Sequence, residues 1–125
     1  MSINIISSSR YKIERKKIKD FLVKIMGENE MEFSSLNIIF VGQRKMKLIA
    51  EKYKNEKVAL PILTFYYKEQ NIGEILICYP QMILLAAERN KTVDYILNFL
   101  LKHGIENLIK QQSESATRLT LNTKH

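Results

Sequence analysis

His103 is followed by Glu106 and Asn107 at three and four positions. On a helix those spacings put side chains on one face, so an imidazole, a carboxylate and an amide would open into the same cleft. An imidazole there serves as a general base or a metal ligand. One histidine and one carboxylate make two metal donors, whereas a catalytic zinc takes three from the protein. The competing expectation is structural. His103 aligns with Ile96 and Leu100 at the border of an apolar stripe, where a ring packs while one nitrogen meets water or a carbonyl. The other histidine, His125, ends the chain and would have to be ordered against its chain entropy to reach a rigid site. Cys78 has no second cysteine to pair with; it reads as a small core residue of a strand and points to a reducing, cytoplasmic setting. Ser8, Ser34 and Ser35 have no histidine at a useful spacing, which leaves nucleophilic catalysis without a base.

A second chemistry is electrostatic. The 125 residues hold 20 Lys and Arg against 13 Asp and Glu, a formal net charge of +7. Such a surplus favours a polyanion, either nucleic acid or an anionic membrane. No apolar run approaches the ~20 residues that span a bilayer, and residues 1–10 lack the apolar core of a leader, so no membrane partner is expected. The cations gather in residues 10–24 and 44–57, interrupted by Glu14, Asp20, Glu51 and Glu56. Arg15, Lys16, Lys19, Arg44, Lys47 and Lys54 are the candidate phosphate contacts, giving affinity without sequence readout. A merely solvated helix face is the alternative. Tyr11, Tyr53, Tyr66 and Tyr67 are candidates for stacking on bases, with Tyr53 expected to pack in the core.

The elements that must position these groups follow from periodicity. Residues 3–6, 36–41, 62–67 and 74–79 are rich in β-branched and aromatic side chains and predict four strands. The last two lie close enough, across a turn at 70–73, to pair as a hairpin, with Pro61 at the start because it cannot donate to a ladder. Helical spacing predicts helices over 11–26, 44–53 and 81–90. The first would be capped by Ser7, Ser8 or Ser9 and stopped by Gly27; the third would carry Pro80 in its first turn. A longer helix over 93–108, capped by Thr92, would bury Val93, Ile96, Leu97, Leu100, Leu101, Ile105 and Leu108. Gly104 costs that helix roughly 1 kcal/mol relative to Ala, so it marks either a close helix approach or a site. Residues 111–125 are polar apart from Leu119 and Leu121 and predict a frayed tail after a single domain of 1–110. The fold class is α/β (α+β): a four-stranded mixed sheet packed with helices, with 93–108 as the central helix carrying His103.

Residues 49–65, IAEKYKNEKVALPILTF, resemble without a gap the segment LNxxYRGKDKPTDVLSF of the YbeY family of rRNA-maturation metallo-endoribonucleases. Residues 72–78, IGEILIC, are similar to that family's LGDIVIC strand, and HGIENLIKQQS from His103 falls where it carries HGxLHLxGxDH. The resemblance covers residues 36–108 in order and in register.

The resemblance implies zinc as the family's metal, rRNA or a pre-ribosomal particle as partner, and a ribosomal protein or an assembly GTPase as a further one. It assigns His103 to the first ligand position, Asn107 to the second and Ser113 to the third. Neither an amide nor a hydroxyl is a good zinc donor. Lys54 takes the place of an arginine that helps with substrate phosphate, keeping the charge without the planar fork. Leu60 and Pro61 replace a Thr-Asp pair, and Glu74 replaces an aspartate. The expectation is a protein that binds rRNA, holds no cofactor, and has metal-dependent hydrolysis weakened or lost. The alternatives are an active endoribonuclease, with catalytic residues Lys54, His103 and Glu106 and His103 on the metal, or a non-catalytic interaction domain.

Overall fold

The computed structural model describes the backbone of residues 1–123 and the side chains of residues 1–115. Its elements run β1 (Ser2–Ile6), α1 (Arg15–Glu28), β2 (Ser35–Val41), α2 (Gln43–Lys54), β3 (Ile62–Tyr67), β4 (Ile72–Cys78), α3 (Tyr79–Glu88) and α4 (Val93–Thr123). The four strands form one sheet in the order β1-β2-β4-β3. β1 pairs with β2 and β2 with β4 in parallel, while β3 and β4 form the expected antiparallel hairpin.

Strand alternation sorts the core into two clusters. Leu36, Ile38 and Phe40 of β2 and Ile75 and Ile77 of β4 face α1, α3 and α4. Their neighbours Val41, Leu76 and Cys78 face the other way and pack with Met46 and Ala50 of α2. The helices therefore cover both faces of the sheet, with α2 alone on its side. Beyond the reach of α2, Asn4 donates to Ser35 Oγ at 3.2 Å and to Asn37 Oδ1 at 2.9 Å, forming a polar row between β1 and β2.

Several boundaries depart from the periodicity. α1 begins at Arg15, and its N-cap is Glu14 without a side-chain cap bond, so the serines do not cap it. Tyr11 is held outside the helix by stacking on Tyr79, with ring centroids 4.4 Å apart. Gly27 does not stop α1, which runs on to Glu28; Asn29 closes it by donating from Nδ2 to the Ile25 carbonyl at 2.8 Å. The hairpin turn uses Asn71 at φ 54°, which frees Gly73 to lie within β4. Cys78 ends β4, and Tyr79 opens α3 with Pro80 in its first turn. Thr92 caps α4 as expected, its Oγ1 accepting from the Tyr95 amide at 3.1 Å.

The backbone of α4 is helical to Thr123, beyond the end at residue 108 that the apolar stripe predicts. Two side chains tie the extension to the sheet. Gln111 donates to Thr64 Oγ1 at 2.8 Å, satisfying a buried hydroxyl, and Gln112 donates to Asn71 Oδ1 at 3.0 Å and the Glu32 carbonyl at 3.2 Å. Among the described residues no helix is long and apolar enough to cross a membrane.

Gly104 marks a close approach. A Cβ there would stand 2.8 Å from Ile75 Cδ1 and 3.1 Å from Ile62 Cδ1, against a strand that is fully buried at Ile75. Gly104→Val overpacks this approach and lowers stability by roughly 1–3 kcal/mol despite the relief of the helical glycine. Urea unfolding measures it, and an unchanged midpoint would show that α4 can lift from the sheet at little cost.

Candidate functional site

Burial of Ile96, Leu100, Leu101, Ile105 and Leu108 fixes the rotation of α4 and turns His103 into solvent. Its ring lies parallel to that of Phe99, with centroids 6.4 Å apart and 4° between planes. Phe99, Lys102, His103 and Glu106 line one shallow hollow of about 180 Å³. The structure thus brings His103 and Glu106 together, as the helical spacing predicts. Asn107 is half-buried beside them, and Ser113 is exposed further along the same helix.

The three positions assigned to metal ligands do not converge. α4 continues unbroken through Lys110, which occupies the place of a glycine in the resembling motif. At 1.5 Å per residue, Ser113 lies ~15 Å along the axis from His103, and ten residues turn it to a different face. Among the described residues no group of three or more His, Cys, Asp or Glu could hold a metal ion. Cys78 offers no substitute. It is fully buried in the α2-side cluster, and burial pushes its thiol pKa up against the opposing effect of a hydrogen bond with the Gln81 backbone. His125 lies outside the described residues. The donor chemistry present, one imidazole and one carboxylate with an amide beside them, does not fit a zinc centre.

Lys54 is the last residue of α2 and is exposed. Because α2 and α4 cover opposite faces of the sheet, Lys54 does not join His103 and Glu106. The same division splits the six candidate phosphate contacts. Arg15, Lys16 and Lys19 belong to α1, whereas Arg44, Lys47 and Lys54 belong to α2.

The two sets also differ in their partners. Arg15 donates from its guanidinium to the Ile5 carbonyl. Lys16 pairs with Asp20 at 2.8 Å; the hydrogen bond and charge of Asp20 raise its pKa. Neighbouring Lys17 joins Glu14 at 3.2 Å to Asp94 of α4 at 3.7 Å. Among the described residues these are the ion pairs, and none involves Lys19, Arg44, Lys47 or Lys54. Arg44, Lys47 and Lys57 line an open groove of about 620 Å³ with the carboxylate of Glu51, which forms no ion pair with them, and with Leu48 and Val58. The α2 cations are therefore the freer set for phosphate.

Of the candidate stacking tyrosines, Tyr11 is half-buried on Tyr79, and Tyr66 is half-buried with its hydroxyl donating to Asn71 Oδ1 at 2.8 Å. Tyr67 is exposed; its hydroxyl donates to Glu74 Oε1 at 3.4 Å, and its pKa is raised by partial burial and then by the Glu74 charge. Tyr53 is not in the core. It is 57% exposed, because α2 presents only Met46 and Ala50 fully inward, and its ring meets Phe65 edge-on. Two exposed rings of α4, Tyr95 and Phe99, are hidden from a periodicity argument that follows the buried stripe. Their four-residue spacing on its polar side is the signal that marks them.

Since His103 is exposed and supports no buried neighbour, His103→Ala leaves unfolding stability within about 0.5 kcal/mol of the parent. A larger loss in urea would make it a structural residue.

The sequence profile described as Endoribonuclease YbeY matches residues 4–109. The chain is 32% identical over 118 residues to the Endoribonuclease YbeY of Thermodesulfovibrio yellowstonii, spanning 90% of this chain and 71% of that one. It is 30% identical over 133 residues to the Endoribonuclease YbeY of Dehalococcoides mccartyi, spanning 87% and 79%. Its fold is shared with a Thermotoga maritima protein solved in solution, at a TM-score of 0.61 and 23% identity over 86% of this chain and 71% of the other. The match runs from β1 into α4 and so takes in the whole sheet and the His103 helix, and the chain belongs to the YbeY endoribonuclease family.

Proposed function

We propose that the protein is a YbeY-type factor that binds rRNA or a pre-ribosomal particle, with metal-dependent hydrolysis weakened or lost. The observation that carries the reading is the His103 helix. Its ligand positions are His, Asn and Ser on one unbroken helix, which carries Ser113 to a different face from His103 and Asn107. A metal would normally activate water and stabilise the charge of the phosphoryl transition state, and these side chains do not hold one in place. Binding does not need that centre. Phosphate attraction depends on cations such as Arg44, Lys47 and Lys54, which have no carboxylate partners among the described residues.

His103 and Glu106 share a hollow, which favours one alternative: weak retention of a metal by two donors at high concentration. Kinship with the family supports a ribosomal protein or an assembly GTPase as an additional partner. The lone buried Cys78 is compatible with a reducing, cytoplasmic setting.

Two measurements test the proposal. After exhaustive dialysis the protein holds well under one zinc per chain, and added zinc does not raise RNA cleavage. Near-equimolar zinc with cleavage abolished by His103→Ala would restore the enzyme. For binding, changing Arg44, Lys47 and Lys54 to glutamine lowers the magnitude of the salt slope by up to ~3, about one for each phosphate no longer neutralised. Changing Lys16 and Lys19 lowers it by no more than ~1, since Lys16 already has Asp20. Equal slopes in all three proteins would show both faces to be solvated only.

A further inference from the structure

Tyr95, Phe99 and His103 stand at four-residue intervals on α4, on the side turned away from the core. Tyr95 is 53% exposed, Phe99 is 48% exposed, and His103 is exposed as well. Rings on the outer face of an amphipathic helix leave apolar area in water that inward packing would remove. Cations surround them. The Arg89 guanidinium lies 5.6 Å from the Phe99 ring centroid and the Lys91 ammonium 4.8 Å from that of Tyr95. Lys102 borders two hollows on either side of Phe99. One, of about 210 Å³, is shared with Phe21, Tyr95 and Asn98; the other, of about 180 Å³, with His103 and Glu106. Among the described residues none of Arg89, Lys91 and Lys102 has an ion-pair partner.

We propose that this face of α4 is a stacking platform for an unpaired stretch of RNA, with bases against Tyr95, Phe99 and His103 and phosphates along Arg89, Lys91 and Lys102. The inference rests on the reading of the protein as an RNA binder, and it places the unpaired bases on α4 rather than on the α2 cations. The spacing suits the ligand. Four helical residues advance ~6 Å, close to the ~6.8 Å covered by two nucleotides of a stacked strand at ~3.4 Å each. The Arg89 guanidinium over Phe99 can join the stack, because guanidinium and aromatic planes both accept bases, while the Lys91 ammonium beside Tyr95 serves phosphate alone. Glu106 repels phosphate, which favours a backbone path toward Arg89 and Lys91, at the other end of the ring row. A paired duplex keeps its base faces stacked on one another and has none to offer the rings. An apolar protein surface would cover three cations without returning any charge to them.

The test compares the parent with Tyr95→Leu/Phe99→Leu, which keeps helix propensity and apolar character at exposed positions. The probes are a labelled oligouridylate and a fully paired RNA duplex of the same strand length, each titrated at several salt concentrations. The platform predicts that the double variant loses affinity for oligouridylate by at least ~10-fold, with its duplex affinity and salt slope unchanged. Unaltered binding of oligouridylate, or equal losses on both RNAs, would overturn the platform while leaving RNA binding intact. A parent protein that binds neither RNA at low salt would instead overturn the RNA-binding reading, and the platform with it.

Discussion

Helix α4 lies so close to β3 and β4 that Leu108 sits directly over Gly73, between Leu36 and Phe33, while Gly104 turns bare backbone toward Ile75 and Ile62. Two missing Cβ atoms make this approach possible, one on the strand and one on the helix. Around it Ile96, Leu100, Leu101 and Ile105 are almost completely buried, each contributing about 1.5–3 kcal/mol of hydrophobic stabilisation. This packing fixes the rotation of the helix as well as its position. With that rotation set, Gln111 meets Thr64 on one side, and Tyr95, Phe99, His103 and Glu106 are left facing water.

The same rigidity bears on the proposed loss of hydrolysis. A metal centre built from a helix and the chain that follows needs a bend that returns the last ligand to the first. Here Lys110 occupies the place of the glycine, and Gln111 and Gln112 fasten the next turn to Thr64, Asn71 and the Glu32 carbonyl. The backbone is committed to helix where a catalytic loop would have to turn. On that reading, substituting ligands alone would not rebuild a metal site, because the backbone from Ile105 to Ser113 is helical as well. The positive surface is not tied to that helix, since it depends on exposed cations of α1 and α2 whose placement needs no convergence.

Much of the fold is legible in the sequence because its signals are local. The run ILTFYY predicts β3 to the residue, and Thr92 followed by an apolar stripe predicts the start of α4. Gly104 is legible as an anomaly, although only packing shows it to be a close approach rather than an opening. The departures arise where distant groups decide. Tyr11 has helical neighbours but is drawn off by Tyr79. Gly73 looks like a turn residue, yet Asn71 takes the positive φ and leaves the glycine to make room for Leu108. The polar stretch after Lys110 gives no sign of its helix, since its anchors are on β3, on the hairpin turn and at Glu32. At the site, residue types mark His103, Glu106 and the cations as exposed polar groups. Periodicity cannot say that α1 and α2 lie on opposite faces, nor that the sheet separates Lys54 from His103.

That the segment following His103 is a committed helix and not a metal-binding loop is the central claim. Amide hydrogen exchange across residues 105–115, with and without added zinc, tests it most directly. A committed helix exchanges slowly from Ile105 through Ser113 and does not change when zinc is added. Fast exchange at Lys110–Ser113 that becomes protected on addition of zinc would contradict it.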